Sequence, residues 1–271
     1  FKRCSSLETI DIPSSITKIR DFTFSLCSSL IDIKIPDSIR NIGEKAFASC
    51  SKLKNIKLPK FIRTIESATF IGCKSLAEIQ IPDSVNIIKD NAFNGCSSLV
   101  NISLPPCLEE IEHHAFYECS LLEQIQIPKK LNTISYGCFG FCDSLTNIII
   151  PPSVHNIEAL AFERCSGLLH ITIPDTITKI KKETFSFCWS LKSISLPCVI
   201  EIGDNAFEEC TSLLEISMPN VKSIGFDVFL NCYSLKKVFV NSSINDYSEF
   251  PPHVKIIKNG EKIIENQDSK L

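Results

Sequence analysis

Fourteen cysteines and five histidines are the residues of this sequence whose chemistry could hold a metal, form disulfides or attack a substrate. Zinc needs ligands in closely spaced pairs, and only Cys138 and Cys142 approach that, as a C-x-x-x-C with no second pair. His113, His114, His155, His170 and His253 include no pair at ligand spacing. There is no G-x-S-x-G, no H-E-x-x-H and no phosphate-cradling glycine loop. The expectation is therefore no metal, no cofactor, no catalytic residue and no enzyme, because an activity has to be argued from a site.

What the cysteines do have is phase. Cys4, Cys27, Cys50, Cys73, Cys96, Cys119, Cys142, Cys165 and Cys188 follow one another at 23 residues, and Cys210 and Cys232 at 22. Such self-similarity is an internal repeat, and it has to be read before any chemistry. A leucine lies three residues after every one of these cysteines, from Leu7 to Leu235, and an isoleucine or valine six after it, from Ile10 to Val238. A second aliphatic residue comes at eight, then a proline in ten units, from Pro13 to Pro219. Two further aliphatic positions and a phenylalanine, Phe24 through Phe229, complete the unit. Stacked coils bring alpha carbons within disulfide range, but a ladder of bridges would strain every rung, so buried reduced thiols acting as small apolar fillers are expected.

Each coil is too small to bury its own apolar residues, so the coils must stack. Residues six and eight after the cysteine share one face of a strand by period-two alternation and point inward. Proline then ends the strand, since it cannot donate to a ladder. The remaining segment, Gly43 to Cys50 for example, is polar and then Ala-Phe, which suits one helical turn. At strand spacing the stack should be roughly 50 Å long. Phe1 already occupies the phenylalanine slot of a preceding unit, so the chain reads as cut from something longer. Beyond residue 240 the pattern decays, and Lys255 to Ile264 carries Asn259-Gly260 between alternating segments, which predicts a capping hairpin over 241–271 and a frayed tail from Glu265.

The unit L-x-x-I-x-I-P-x-x-I-x-x-I-x-x-x-A-F-x-x-C, seen in Leu30 to Cys50, Leu76 to Cys96 and Leu168 to Cys188, resembles the BspA-like leucine-rich repeat over residues 1 to about 240. The resemblance implies an α/β leucine-rich-repeat solenoid, a right-handed β-rich superhelix with one parallel strand and a short helical turn per coil. It also implies a non-enzymatic protein-binding module at the cell surface or secreted, adhering to extracellular-matrix or cell-surface proteins. An intracellular leucine-rich-repeat scaffold is the alternative. Lys plus Arg is 28 against 31 Asp plus Glu, with no basic block, which argues against nucleic acid. No apolar run is long enough to insert in a membrane.

Two surfaces are candidates for a protein ligand. Exposed strand positions, among them Lys34, Lys57, Gln80, Gln126 and Thr172, make a mixed polar face, which is also what an ordinary solvated sheet looks like. The second is sharper. Phe141, Arg164 and Phe187 precede the cysteine in three successive coils, Trp189 follows Cys188, and Tyr233 takes the same slot as Trp189 two coils on. Aromatics around an arginine are enriched at binding hot spots, although they also pack onto solenoid edges. Asn101-Ile102-Ser103 and Asn241-Ser242-Ser243 are glycosylation sequons in a eukaryotic secretory context.

Overall fold

The computed structural model describes residues 1–241, 244 and 248–258, and the backbone of 261–265. Counting each coil from its cysteine, coil 1 is 4–26 and coil 10 is 210–231. The L-x-x-I-x-I segment forms the first strand of every coil, from Thr9–Asp11 in coil 1 to Lys237–Val240 in coil 11. From coil 2 to coil 9 its central isoleucine is buried and its described flanks are exposed, as the alternation predicts; Ile56 lies between exposed Asn55 and Lys57. Within each of four successive sheets neighbouring coils pair in parallel and in register, Ile56 with Ile79 and Ile79 with Ile102.

A second, two-residue strand follows the proline in each coil, from Lys18–Ile19 to Ser223–Ile224, and it also stacks in parallel. Its isoleucine, Ile65 or Ile88 for example, is buried, so a coil contributes to two sheets on two sides of one core. At the C-terminal end Lys255–Lys258 pairs in parallel with Lys237–Val240, and Glu261–Glu265 returns antiparallel to it, Ile256 opposite Ile264. The Asn259-Gly260 turn and the tail beyond Glu265 lie outside the described residues.

The expected helical turn, and with it the α/β class, is not what forms: the described residues contain no helix. The reason lies in the backbone. Residues five before and one before each repeat cysteine, such as Lys45 and Ser49, take positive φ of 51–71°. A right-handed helix cannot accommodate that geometry. Amide groups then alternate in direction. Ala46, Ala48 and Cys50 donate three residues back within the turn at 3.1–3.2 Å, whereas Lys45, Phe47 and Ser49 donate to Ser67, Thr69 and Ile71 of the next coil at 2.7–3.0 Å. The turn column is thus a third hydrogen-bonded face of the stack, and it satisfies backbone groups that a lone helical turn would leave open.

Most of these left-handed positions hold side chains that bear a steric cost, but Gly72 and Gly95 occupy the last position of coils 3 and 4. Exposed Glu118 sits in the same slot of coil 5 with φ 58°. Glu118→Gly is expected to stabilise the chain by about 1 kcal/mol, read as a rise in melting temperature, because the cost of an L side chain in that region disappears.

Inside the turn column the phenylalanines form one continuous stack. Rings from Phe1 through Phe229 to Phe250 lie 5.4–5.8 Å apart by centroid and near parallel. Phe250 thus carries the stack into the cap, one step beyond the repeat cysteines. The thiols line the same column. Ten repeat cysteines, Cys27 to Cys232, donate Sγ–H at 3.0–3.3 Å to the carbonyl of the phenylalanine 25 or 26 residues earlier in the chain. That carbonyl already accepts the amide of its own cysteine, as Phe47 does from Cys50 at 3.1 Å. All fourteen cysteines are free thiols. Burial pushes the Cys50 and Cys232 thiols up to about 12 and raises the fully buried repeat thiols between them, Cys73 and Cys188 among them, well above their ordinary value.

The off-series cysteines are substitutions within the repeat. Cys138 fills the buried alanine slot before Phe139, and Cys107 takes the place of a serine such as Ser84. Both Cys107 and Ser84 donate to a carbonyl of the coil before, Val85 and Ile62 respectively.

Candidate functional site

On the strand side the sequence candidates fall in one column, the seventh residue after each cysteine. Lys57 pairs with Gln80, and Ile149 with Thr172. Asp11 sits opposite Lys34. The column is not uniformly polar, because Ile149 stands 74% exposed in its midst. An open groove of about 860 Å³ runs across coils 5 to 7 there, lined by Gln124, Gln126, Lys129, Asn147 and Ile149. Asn101 also lines this groove, so a glycan on it would cover the groove. The second sequon begins at half-buried Asn241, and its Ser242 and Ser243 lie outside the described residues.

The turn side holds a more organised surface. Arg164, exposed at the end of coil 7, places its guanidinium 5.2 Å from the Phe141 ring centroid of the coil before and 5.4 Å from that of Trp189 in the second coil after it. The stacking that brings every last residue of a coil into one column makes this possible, and Phe141 and Arg164 share the same positive-φ backbone there. Residues that the sequence reading missed extend the set. Tyr117 meets Phe141 at 5.0 Å, His114 meets Tyr117 and Tyr136 edge-on at 5.1 Å, and His113 reaches Tyr136 at 6.3 Å.

Two glycines of coil 6 leave room for those rings: a Cβ on Gly137 would lie 2.5 Å from His114 Cδ2, and one on Gly140 2.7 Å from the Tyr117 ring. The signal was present in the sequence, since coil 6 alone carries glycine at both places, but it could be recognised only with the rings in view.

Electrostatically the set is aromatic with few free protons. Burial and the neighbouring His113 hold His114 below the usual imidazole range, so it is neutral at pH 7. Burial, then the Glu163 carboxylate, pushes Tyr117 up to about 12. Glu163 itself is raised, first by burial and then by Glu183. A cation held between two ring faces, with neutral rings continuing from it, suits recognition rather than proton transfer.

Two candidates from the sequence do not join this set. Phe187 is half-buried beside Cys188, and among the described residues no ring or cation contact ties it to Arg164 or Trp189. Tyr233 lies two coils beyond Trp189 and bonds Asn231 instead, its hydroxyl 2.7 Å from Oδ1. Among the described residues no group of His, Cys, Asp and Glu is placed to hold a metal ion. No helix there is long and apolar enough to cross a membrane.

A family model for the BspA-type leucine-rich repeat region matches the chain in segments 1–97, 65–192 and 133–251. The chain belongs to the BspA-type leucine-rich-repeat family. Among solved structures it is similar to a leucine-rich repeat protein from Bacteroides ovatus, 28% identical, covering 95% of this chain and 79% of that one with a TM-score of 0.79. It also resembles a leucine-rich cell surface protein from Faecalibacterium prausnitzii at 26% identity, covering 88% and 79% of the two chains, with a TM-score of 0.56. A leucine-rich repeat protein of T. pallidum is 31% identical over 67% of this chain and 78% of its own, with a TM-score of 0.53. No curated protein matches.

Proposed function

We propose that the chain is a non-enzymatic protein-binding module, secreted or displayed at a cell surface, that engages matrix or cell-surface proteins through its turn face. The observation that carries this reading is the arginine of coil 7 held over two aromatic rings from different coils, half-buried Phe141 and exposed Trp189. Tryptophan, tyrosine and arginine are the residue types that dominate interface energetics, and here the stack holds them in fixed relative positions before any partner arrives. Family membership supports protein binding, and the Faecalibacterium relative is described as a cell surface protein.

Labelling of intact source cells with a membrane-impermeant biotin reagent tests the location. Recovery of the chain in the labelled fraction is the expected result. Protection until lysis would instead make the chain an intracellular scaffold using the same face.

A further inference from the structure

The turn face carries a second apolar patch, at its C-terminal end. Phe226 is 75% exposed and Tyr233 70%, with Leu230 between them in sequence also exposed. Large apolar side chains exposed together on two consecutive coils mark a contact surface more often than a single exposed ring does. The hydrogen bonds show what surrounds them. Asp204 Oδ1 accepts the Phe226 amide at 2.9 Å, and the Phe226 carbonyl accepts the Asn205 amide at the same distance. The Leu230 carbonyl accepts the Glu209 amide at 2.8 Å. Glu209 Oε1 takes the Asn231 side-chain amide at 2.8 Å, and Asn231 in turn takes the Tyr233 hydroxyl.

The rim of this patch is acidic. Glu183, Asp204, Glu208, Glu209 and Asp227 border it, with Lys182 3.1 Å from Glu183, so these six side chains carry five negative charges against one positive, a net of −4. The carboxylates are close enough to feel one another: burial, and after it Glu183, Glu209 and Asp227, raise Glu208 above its ordinary range against the lowering effect of Asn205. The patch is therefore apolar in its middle and strongly negative around, and its complement is a segment that offers aliphatic contact flanked by cations.

We propose that Phe226, Leu230 and Tyr233, rimmed by these carboxylates, form a docking surface for a basic, aliphatic segment of a partner protein. The carboxylates pair with its lysines or arginines, the exposed rings cover its aliphatic side chains, and the Tyr233 face accepts a cation. The site is separate from the Arg164 patch and does not rest on it.

The probe is a labelled peptide of alternating lysine and leucine, with an alternating glutamate and leucine peptide as its counterpart, each titrated into the whole chain by fluorescence anisotropy. The lysine peptide is expected to bind at least about tenfold more tightly than the glutamate peptide at low ionic strength, with the difference shrinking as salt screens the rim. Two variants, Glu208→Gln with Glu209→Gln and Asp227→Asn, and Phe226→Ser with Tyr233→Ser, should each weaken it by about tenfold. The carboxylate variant keeps one acceptor oxygen at each position, enough for the Asn205 and Asn231 side-chain amides, and decides the matter if the aromatic variant misfolds by circular dichroism. Trp189→Ser should leave this binding unchanged, which separates it from the Arg164 patch. Equal binding of both peptides, no binding of the lysine peptide, or full binding to the carboxylate variant overturns the proposal.

Discussion

Raising the pH through about 9 to 10 is expected to unfold the chain in one steep transition. Eleven thiols, from Cys27 to Cys232, are held above their ordinary value of 9.0, chiefly by burial. Below about pH 9 they are protonated in both states and their contribution to stability is whole. Above it the unfolded chain releases these protons while burial keeps them on the folded chain, on Cys50 until about pH 12, so each thiol withdraws stability as pH rises. The slope is about 1.4 kcal/mol per pH unit for each group, and eleven acting together exceed the typical 5–15 kcal/mol of a folded domain within about one unit. Far-UV circular dichroism against pH reads the transition. A native spectrum persisting to about pH 11 would contradict the picture of buried, protonated rungs.

Removing one ring from the phenylalanine stack is expected to cost about 4 kcal/mol. Phe116 is fully buried, with Phe93 at 5.4 Å on one side and Phe139 at 5.7 Å on the other. Phe116→Ala leaves a ring-sized cavity in coil 5 and breaks two ring contacts at once. Because each coil touches only its neighbours, the damage also weakens the junction between the two halves of the stack. Urea unfolding should show the midpoint falling sharply and the single transition splitting in two. A loss under about 1 kcal/mol would mean that the rings are not a shared core.

The strand faces were legible because their signals are local and periodic: Ile33 and Ile56 alternate with exposed neighbours, and Pro36 and Pro59 mark where each strand stops. The two-residue strands, Thr64–Ile65 for example, are too short to show alternation and exist only through their neighbours in the stack. The turn was misread for a related reason. Ala46-Phe47 suits a helix locally, but Lys45 and Ser49 are driven to positive φ by hydrogen bonds to the next coil, and a helical reading of one unit leaves those bonds out. Gly72, Gly95 and Gly137, with Asn91, Asn205 and Asn231, were the sequence's sign of left-handed backbone in that column.

The site divides in the same way. Phe141, Arg164 and Trp189 could be placed together because they occupy equivalent or adjacent slots of stacked units. His114, Tyr117 and Tyr136 hold different slots, and only side-chain direction and the glycines of coil 6 bring them to the same rings. The cysteines were legible as buried fillers but not as donors to the Phe carbonyls, since that contact runs between coils.

Binding of the purified chain to immobilised extracellular-matrix and cell-surface proteins, compared with a Phe141→Ser and Trp189→Ser variant, tests the central claim most directly. Both rings lie outside the core stack, so the variant's melting temperature should stay within a few degrees of the parent, about what exposed substitutions give. A bound partner is expected, with an affinity that falls at least about tenfold in the variant, since the two rings that hold Arg164 are gone. Retention of full affinity by a folded variant would show that the turn face is not the binding surface.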